Sequence, residues 1–185
     1  MHPTAINAEP ATVESPDFGA FFDREFSYVW NTLRRLGIHE RDVEDISHEV
    51  FLRVYGQWAA YDPSRASRPW LFGFAYRAAA DYRRLARHRV ALVGDIGSLE
   101  FAAATETAEV ELIRRDSTEF VHRALEQLDF DQRAVFVLHE LDGCTMKVVA
   151  ATLSIPVNTA YSRLRLARAR FTIVVRRMKL REPTP

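Results

Sequence analysis

Residues 145–174 read TMKVVAATLSIPVNTAYSRLRLARARFTIV, and their pattern predicts the fold of the second half of the chain. Thr145 is a favourable N-cap, and the apolar residues that follow it at helical spacing predict a short helix. The segment Ser154-Ile155-Pro156 interrupts this helix, and Pro156 suits the first turn of a new helix, where its missing N–H costs nothing. A short helix, a tight turn and a longer basic helix form the plan of a helix-turn-helix.

The longer helix is amphipathic and basic: between Pro156 and Arg181 there are eight basic residues and no acidic one. Its apolar stripe, which is predicted to pack inward, consists of Ala160, Leu164, Ala167, Phe171 and Val174. The polar residues near its amino end, the part that a recognition helix inserts into the major groove, are Asn158, Thr159, Ser162, Arg163 and Arg165. Such side chains bind base edges and phosphates, so this face is predicted to contact double-stranded DNA. The alternative is a solvated helix whose cations offset the negative end of the helix dipole.

Helical spacing also extends towards the amino terminus from this motif, and residues 117–181 are predicted to form one helical domain. Its first two helices are marked by Val121, Leu125 and Leu128, and then by Ala134, Val135, Val137, Leu138 and Leu141. Asp142-Gly143 is expected to end the second of them. Residues 90–116 are rich in Ala, Gly, Thr, Glu and Ser and include six acidic residues, so they are predicted to form a flexible linker.

Residues 17–89 predict a first helical domain. Asp17 is expected to cap a helix that ends at Gly37. A second helix follows, whose apolar residues are spaced by three, four and four: Val43, Ile46, Val50 and Val54. The predicted fold is therefore all-α, with two small helical domains joined by the linker.

A third helix of this domain is predicted to start near Pro69, after a loop over Tyr61–Arg65. It interleaves aromatic and basic side chains, which suits single-stranded DNA because rings stack on exposed bases while guanidinium groups follow the phosphates. Leu71 and Phe74 are expected to be buried instead. The aromatic and basic residues of this helix are Trp70, Phe72, Phe74, Tyr76, Tyr82, Arg77, Arg83, Arg84, Arg87 and Arg89.

The composition of the 185-residue chain excludes several classes of protein. It has 25 basic and 25 acidic residues, and its apolar fraction of 48% is normal for a globular protein. Cys144 is the single cysteine, so an intrachain disulfide and a cysteine-held zinc ion are excluded. No apolar run approaches the roughly 20 residues that cross a bilayer. Residues 1–16 lack the pattern of a secretion signal and are predicted to be a flexible leader of a cytoplasmic protein.

The second helix carries an acidic face. Asp42, Asp45 and Glu49 share one side because they are spaced by three and four. This face is expected to repel DNA and to meet solvent or a basic protein surface. Carboxylates also bind Mg²⁺, which leaves a metal-dependent nucleic-acid enzyme as an alternative. No nucleophile–base pattern or phosphate-binding Gly-rich loop accompanies them, and we expect no catalytic residue and no cofactor.

Two further alternatives remain open from the residues alone. A free-standing helix-turn-helix repressor or activator accounts for the last helix, but not for the aromatic–basic helix or the acidic face. An α-helical adaptor with incidental basic patches is the other.

Three groups of segments, in this order along the chain, resemble the sigma-70 family of bacterial transcription factors, in its extracytoplasmic function subfamily. They are DVEDISHEVF at 42–51, RPWLFGFA at 68–75 with DYRR at 81–84, and LEQL at 125–128 with RAVF at 133–136, IPVNT at 155–159 and SRL at 162–164. The resemblance implies a sigma factor that binds core RNA polymerase and directs promoter recognition, DNA melting and initiation, rather than an enzyme. It also implies that an anti-sigma protein is a possible partner.

The resemblance also implies roles for individual residues. Asp42, Asp45, His48 and Glu49 would hold a coiled coil of the largest polymerase subunit. Residues 17–89 would correspond to sigma region 2 and 117–181 to region 4, with the helix from Val157 reading the −35 duplex. The loop from Tyr61 to Ser67 would capture a flipped base of the melted −10 element. The residues implied at the −10 site are Tyr61, Asp62, Ser64, Arg65, Trp70, Tyr76, Arg77, Arg83 and Arg84.

Overall fold

The computed structural model describes residues 17–93 and 109–181, and all regular elements in these ranges are helical. The α-helices are α1 (Phe18–Leu36), α2 (Glu40–Tyr55), α3 (Ser67–Val93), α4 (Glu109–Glu126), α5 (Phe130–Phe136), α6 (Met146–Leu153) and α7 (Val157–Arg181). A 3₁₀ turn covers Trp58–Ala60, and a π-helical turn over Val137–Leu141 continues α5. The prediction of an all-α fold is confirmed, while the predicted leader at 1–16 lies outside the described residues.

Helix α1 begins and ends at the residues that local chemistry predicts. The side chain of Asp17 accepts a hydrogen bond from the backbone N–H of Gly19 at 2.9 Å, which satisfies one orphan donor of the first turn. Gly37 has a φ of 92° and donates to the carbonyl of Arg34 at 3.0 Å, and Ile38 donates to that of Leu33 at 3.0 Å. These two bonds close the helix as a glycine-ended C-cap does.

The first half of the molecule is a three-helix unit. Helices α1, α2 and α3 pack on one another through side chains that are almost fully buried. They include Phe21, Val29 and Leu33 of α1, Val43, Val50 and Val54 of α2, and Leu71, Phe72 and Phe74 of α3. Burial of Leu71 and Phe74 was predicted and is confirmed.

The second half contains the predicted helix-turn-helix. Thr145 caps α6 and accepts from the N–H of Val148 at 3.4 Å. Ser154 ends that helix with a φ of 54°, and α7 starts three residues later. Within the predicted stripe of α7, Ala160, Leu164, Ala167 and Val174 are buried, whereas Phe171 is half-buried with its ring 4.7 Å from that of Phe136.

Two predicted boundaries differ from the structure. Helix α3 starts at Ser67 rather than near Pro69, since a proline in the first turn of a helix lacks only an N–H that needs no partner there. Helices also occupy both ends of the predicted linker 90–116: α3 runs to Val93 and α4 starts at Glu109. Good helix formers such as Glu and Leu at the start of α4 favour this extension. Residues 94–108 lie outside the described part of the chain.

The two halves pack against each other. Helix α3 lies on α6, and α1 contacts both α4 and α5. Their buried side chains form one continuous hydrophobic cluster. The residues described therefore have the two helical units that were predicted, but in direct contact. Over the same residues, no helix is both long enough and apolar enough to span a bilayer.

Candidate functional site

The acidic residues of α2 form one outward-facing surface. Val43, Ser47 and Val50 are buried on the inner side of this helix, so the opposite side faces solvent. Asp45, His48 and Glu49 are exposed there, and Asp42 is half-buried beside them. All four residues predicted to bind polymerase thus lie on one surface, which we call the α2 face.

Two carboxylates of the α2 face are held by neighbouring side chains. Asp42 accepts a hydrogen bond from Oη of Tyr82 on α3 at 2.6 Å. Partial burial, together with this carboxylate, raises the pKa of Tyr82 to about 12. Oε1 of Glu49 lies 2.6 Å from Nη2 of Arg53, one helical turn later, and the two side chains form an ion pair. Over the described ranges, no group of three or more His, Cys, Asp or Glu side chains is arranged to hold a metal ion.

The loop after the 3₁₀ turn projects polar side chains in a fixed arrangement. Oδ1 of Asp62 accepts from the N–H of Ser64 at 3.0 Å and from its hydroxyl at 2.6 Å. Nε of Arg65 lies 3.2 Å from Oδ2 of the same carboxylate. The hydroxyl bond is the main cause that lowers the pKa of Asp62, so this exposed group is ionised at neutral pH. The loop therefore presents alternating acceptor and donor groups to solvent.

A row of four packed aromatic rings lies beside this loop, and we call it the aromatic wall. Its members are Trp58, Tyr61, Trp70 and Phe74. The ring of Tyr61 stacks on that of Trp58 at 4.5 Å and lies 5.3 Å from that of Trp70. Trp70 in turn meets Phe74 edge-on at 5.1 Å. Tyr61 and Trp70 are half-buried, so each packs on the core while part of its ring reaches solvent. The structure brings these two predicted residues together with the loop.

Trp58 also belongs to this aromatic wall, and its role is not among those predicted from the sequence. The signal that could have identified Trp58 is its position three residues before Tyr61, because side chains three residues apart eclipse each other in a 3₁₀ turn. Its ring also lies 4.8 Å from that of Phe21 in the core, which ties the wall to α1.

The remaining predicted residues of α3 divide into two groups. Arg77 and Arg84 are exposed. Cζ of Arg77 lies 5.8 Å from the centroid of the Phe74 ring, and Nη2 of Arg84 lies 3.3 Å from Oδ1 of Asp81. Tyr76 and Arg83 turn instead towards the second half of the molecule, where they meet Phe130 and Asp131. The structure thus does not gather all the predicted single-strand contacts on one open surface.

The amino-terminal half of α7 presents a second polar surface. Asn158, Ser162 and Arg165 are exposed and lie on one side of the helix by their spacing of four and three. Tyr161, whose side chain is 57% exposed, lies between them and was missed, although its position three residues after Asn158 predicts the same side. We call these four residues the α7 face.

The two other residues predicted on α7 are less accessible. Thr159 is half-buried. Arg163 is also half-buried, because its guanidinium forms an ion pair with Asp131 of α5. Its availability to DNA therefore depends on whether this pair is broken.

Comparison with known proteins identifies both halves. Residues 21–89 match the profile described as Sigma-70 region 2, and residues 121–171 match the one described as Sigma-70, region 4. The first match covers α1 to α3, and the second covers the end of α4 and the helix-turn-helix.

Individual relatives agree with these matches. The chain is 29% identical over 182 residues to RNA polymerase sigma factor CnrH of Cupriavidus metallidurans, covering 92% of each chain. A structure of CnrH in complex with the cytosolic domain of CnrY aligns with a TM-score of 0.60 at 25% identity, over 85% of this chain and 86% of that one. The ECF RNA polymerase sigma-E factor of Escherichia coli K12 is 28% identical over 135 residues, covering 69% of this chain and 70% of that one. RpoE of Bartonella quintana, solved in complex with the anti-sigma factor NepR, has the same fold, with a TM-score of 0.69 at 19% identity over 86% of this chain and 97% of that one.

Proposed function

Because this chain belongs to the sigma-70 family, in its extracytoplasmic function group, we propose specific roles for its surfaces in transcription initiation. The chain is an RNA polymerase sigma factor, which directs core polymerase to promoters, and it is not an enzyme. The observation that carries this conclusion is the match of two sigma regions, in order, to the two helical halves.

We propose that the α2 face binds core polymerase through Asp42, Asp45, His48 and Glu49. Its carboxylates are outward-facing, so they suit a basic partner surface and disfavour contact with DNA. The bond from Tyr82 to Asp42 fixes one of these carboxylates before the partner arrives, which reduces the entropy lost on binding.

The melted −10 strand is proposed to lie along the loop at 61–67 and the aromatic wall. Tyr61 and Trp70 offer ring surface for an unpaired base, while Asp62, Ser64 and Arg65 offer hydrogen-bonding groups around it. Holding the unpaired strand stabilises the opened duplex, which is how a protein without catalytic groups promotes melting. Arg77 and Arg84 extend this surface with exposed cations for phosphates.

We propose that the α7 face contacts the bases of the −35 duplex. Asn158, Ser162 and Arg165 carry donors and acceptors that fit base edges in the major groove, and Tyr161 adds an exposed ring. Thr159 and Arg163 are assigned the same role once they become accessible.

We also propose that a partner protein, an anti-sigma factor, binds this chain and restrains it. RpoE of Bartonella quintana, which has the same fold, was solved in complex with an anti-sigma factor, and this chain leaves the α2 face and the α7 face exposed to a partner. Core polymerase and promoter DNA lie in the bacterial cytoplasm, so we propose that the chain acts there.

Reconstituted transcription tests the proposed function. Transcription starts are first mapped across the genome after overproduction of the chain, and one such promoter is then transcribed in vitro with core polymerase. We expect specific initiation only when the chain is added. Binding to that promoter without polymerase, together with no initiation, would instead favour a free-standing repressor.

A further inference from the structure

The loop at 61–67 is anchored at both ends on one face of α1. We propose that Glu25, a buried carboxylate on that face, is a positioning residue for the loop and thereby sets the base preference of the chain within the −10 element. This inference rests on the proposed function, because it assigns the loop to the melted −10 strand.

An aromatic contact fixes the first end of the loop. The ring of Phe21 on α1 is buried and lies 5.0 Å from that of Tyr61, where the loop begins. The same ring lies 6.5 Å from that of Trp70, which follows the loop on α3. Phe21 therefore holds the start of the loop and the aromatic wall against the core of the first half.

A hydrogen bond fixes the second end of the loop. Oγ of Ser67, the first residue of α3, donates to Oε1 of Glu25 at 2.9 Å. Glu25 follows Phe21 by four residues, so both lie on one face of α1, about 6 Å apart along its axis. The carboxylate meets the amino-terminal end of α3, where a negative charge is favourable. One face of α1 thus sets where the loop starts and where it ends.

Two arginines lie beside the carboxylate of Glu25. Nε of Arg24 is 3.1 Å from Oε1 of Glu25, and Nε of Arg68 is 3.9 Å from its Oε2. Cζ of Arg24 also lies 5.2 Å from the centroid of the Phe21 ring, so this side chain links the two anchors. The side chain of Glu25 is only 7% exposed, whereas both arginines are exposed. The negative charge therefore lies beneath the loop with two cations beside it, which limits its repulsion of DNA phosphates.

The part of the loop between the anchors faces solvent. Residues 62–66 are exposed, and the bonds of Asp62 to Ser64 and Arg65 stay within the loop itself. The place of these polar groups relative to the aromatic wall is therefore set at the two anchors. A shift of the second anchor would move the polar groups with respect to a base that stacks on the wall, and small displacements of this kind weaken recognition strongly.

Stability alone does not account for a carboxylate at this position. Burial of a charge is costly, and apolar side chains of similar size are often as stabilising as a buried ion pair. A hydrogen bond to a carboxylate is short and directional, so it fixes one position of the Ser67 hydroxyl. The contacts of Glu25 therefore favour a role in orienting the loop.

Base preference within the −10 element tests the inference. Glu25→Met replaces the carboxylate by an unbranched apolar side chain of similar length, and its initiation with core polymerase is compared with that of the unaltered protein. The templates are a promoter taken from the mapped starts and its variants, in which each −10 position is changed in turn to the other three bases. Asp23→Met makes the same kind of change at an exposed position of α1 and is the matched control. Urea denaturation establishes that each variant is folded.

We expect Glu25→Met to remain folded and to lose about two- to tenfold in base preference at one −10 position, the size of one misplaced hydrogen bond. Its preference at the other −10 positions and at the −35 element should be unchanged. Initiation that falls equally on all templates would mean that Glu25 acts only in folding and would overturn the inference. Unchanged initiation on every template, or the same selective loss in Asp23→Met, would overturn it as well.

A second variant removes the same hydrogen bond from the other side. Ser67→Ala leaves Glu25 in place, and we expect it to lose preference at the same −10 position. If Glu25→Met does not fold, Ser67→Ala decides, and an unaltered preference at every −10 position then contradicts the inference. If the unaltered protein does not initiate on any template, the proposed function itself fails.

Discussion

Nη1 of Arg133 lies directly against Gly37, in the space that a Cβ at that position would occupy. Arg133 is buried and donates three hydrogen bonds to carbonyls, those of Leu36, Glu126 and Leu128. Its place at the boundary thus requires a glycine at the end of α1, for space as well as for the φ of 92°.

Gly37→Ala is expected to lower the free energy of unfolding by about 2–4 kcal/mol, because backbone strain and displacement of the Arg133 side chain add together. Gly143→Ala is the control: Gly143 also has a positive φ, of 70°, but a Cβ there would meet nothing within 4 Å. The control should lose only about 1–2 kcal/mol. Urea denaturation of the three proteins measures both losses, and equal losses would mean that Arg133 adjusts without cost.

Reversing one charge of the α2 face is expected to weaken polymerase binding. Asp45→Arg should reduce the affinity for core polymerase about tenfold or more, since it places a like charge opposite the basic surface proposed for the partner. Asp23→Arg makes the same change at an exposed position of α1 and should have little effect. Fluorescence anisotropy of the labelled protein, at two salt concentrations, measures its affinity for core polymerase. Similar affinities for both variants would exclude the α2 face as the contact.

Truncation of Tyr161 tests the α7 face. Tyr161→Ala should weaken binding of the polymerase complex to the −35 duplex by about 5–50-fold, the size of a lost base contact. Ile173→Ala is the control, because Ile173 is also exposed but lies three turns further along the same helix. Footprinting on wild-type and −35-mutated promoters compares the variants. A loss that is the same on both promoters would assign Tyr161 to the backbone instead of the bases.

The bond between Tyr82 and Asp42 predicts a dependence on alkaline pH. The pKa of Tyr82 is raised in the folded state, from the ordinary value of 10.0 to about 12. The folded state therefore holds this proton more tightly than the unfolded state. The resulting stability is fully present below pH 10 and is lost as the pH rises through 12.

Tyr82→Phe removes the titrating group, so its stability should fall less steeply between pH 10 and pH 12 than that of the unaltered protein. Urea denaturation at a series of pH values compares the two slopes. Identical slopes would mean that Tyr82 titrates at the same pH in the folded and unfolded states. Tyr76→Phe is expected to behave in the same way, since the pKa of Tyr76 is also raised to about 12 by burial and by Asp131.

The sequence predicts those features that depend on residues close together along the chain. Asp17, Gly37 and Thr145 mark helix ends because a cap acts within one turn, and the α7 stripe follows from helical spacing alone. The position of Tyr76 was not predictable in this way. Its partner Asp131 is 55 residues away, and nothing in the spacing of α3 shows which polar residue it will meet.

The shared hydrophobic cluster also limits how the two halves can separate. When the halves part, apolar side chains along α3 and α6 lose their cover and meet water, which is unfavourable in proportion to the area exposed. Without a partner, a molecule whose halves have separated would aggregate with other copies or close again. Separation of the halves is therefore tied to the presence of a partner that covers these apolar strips.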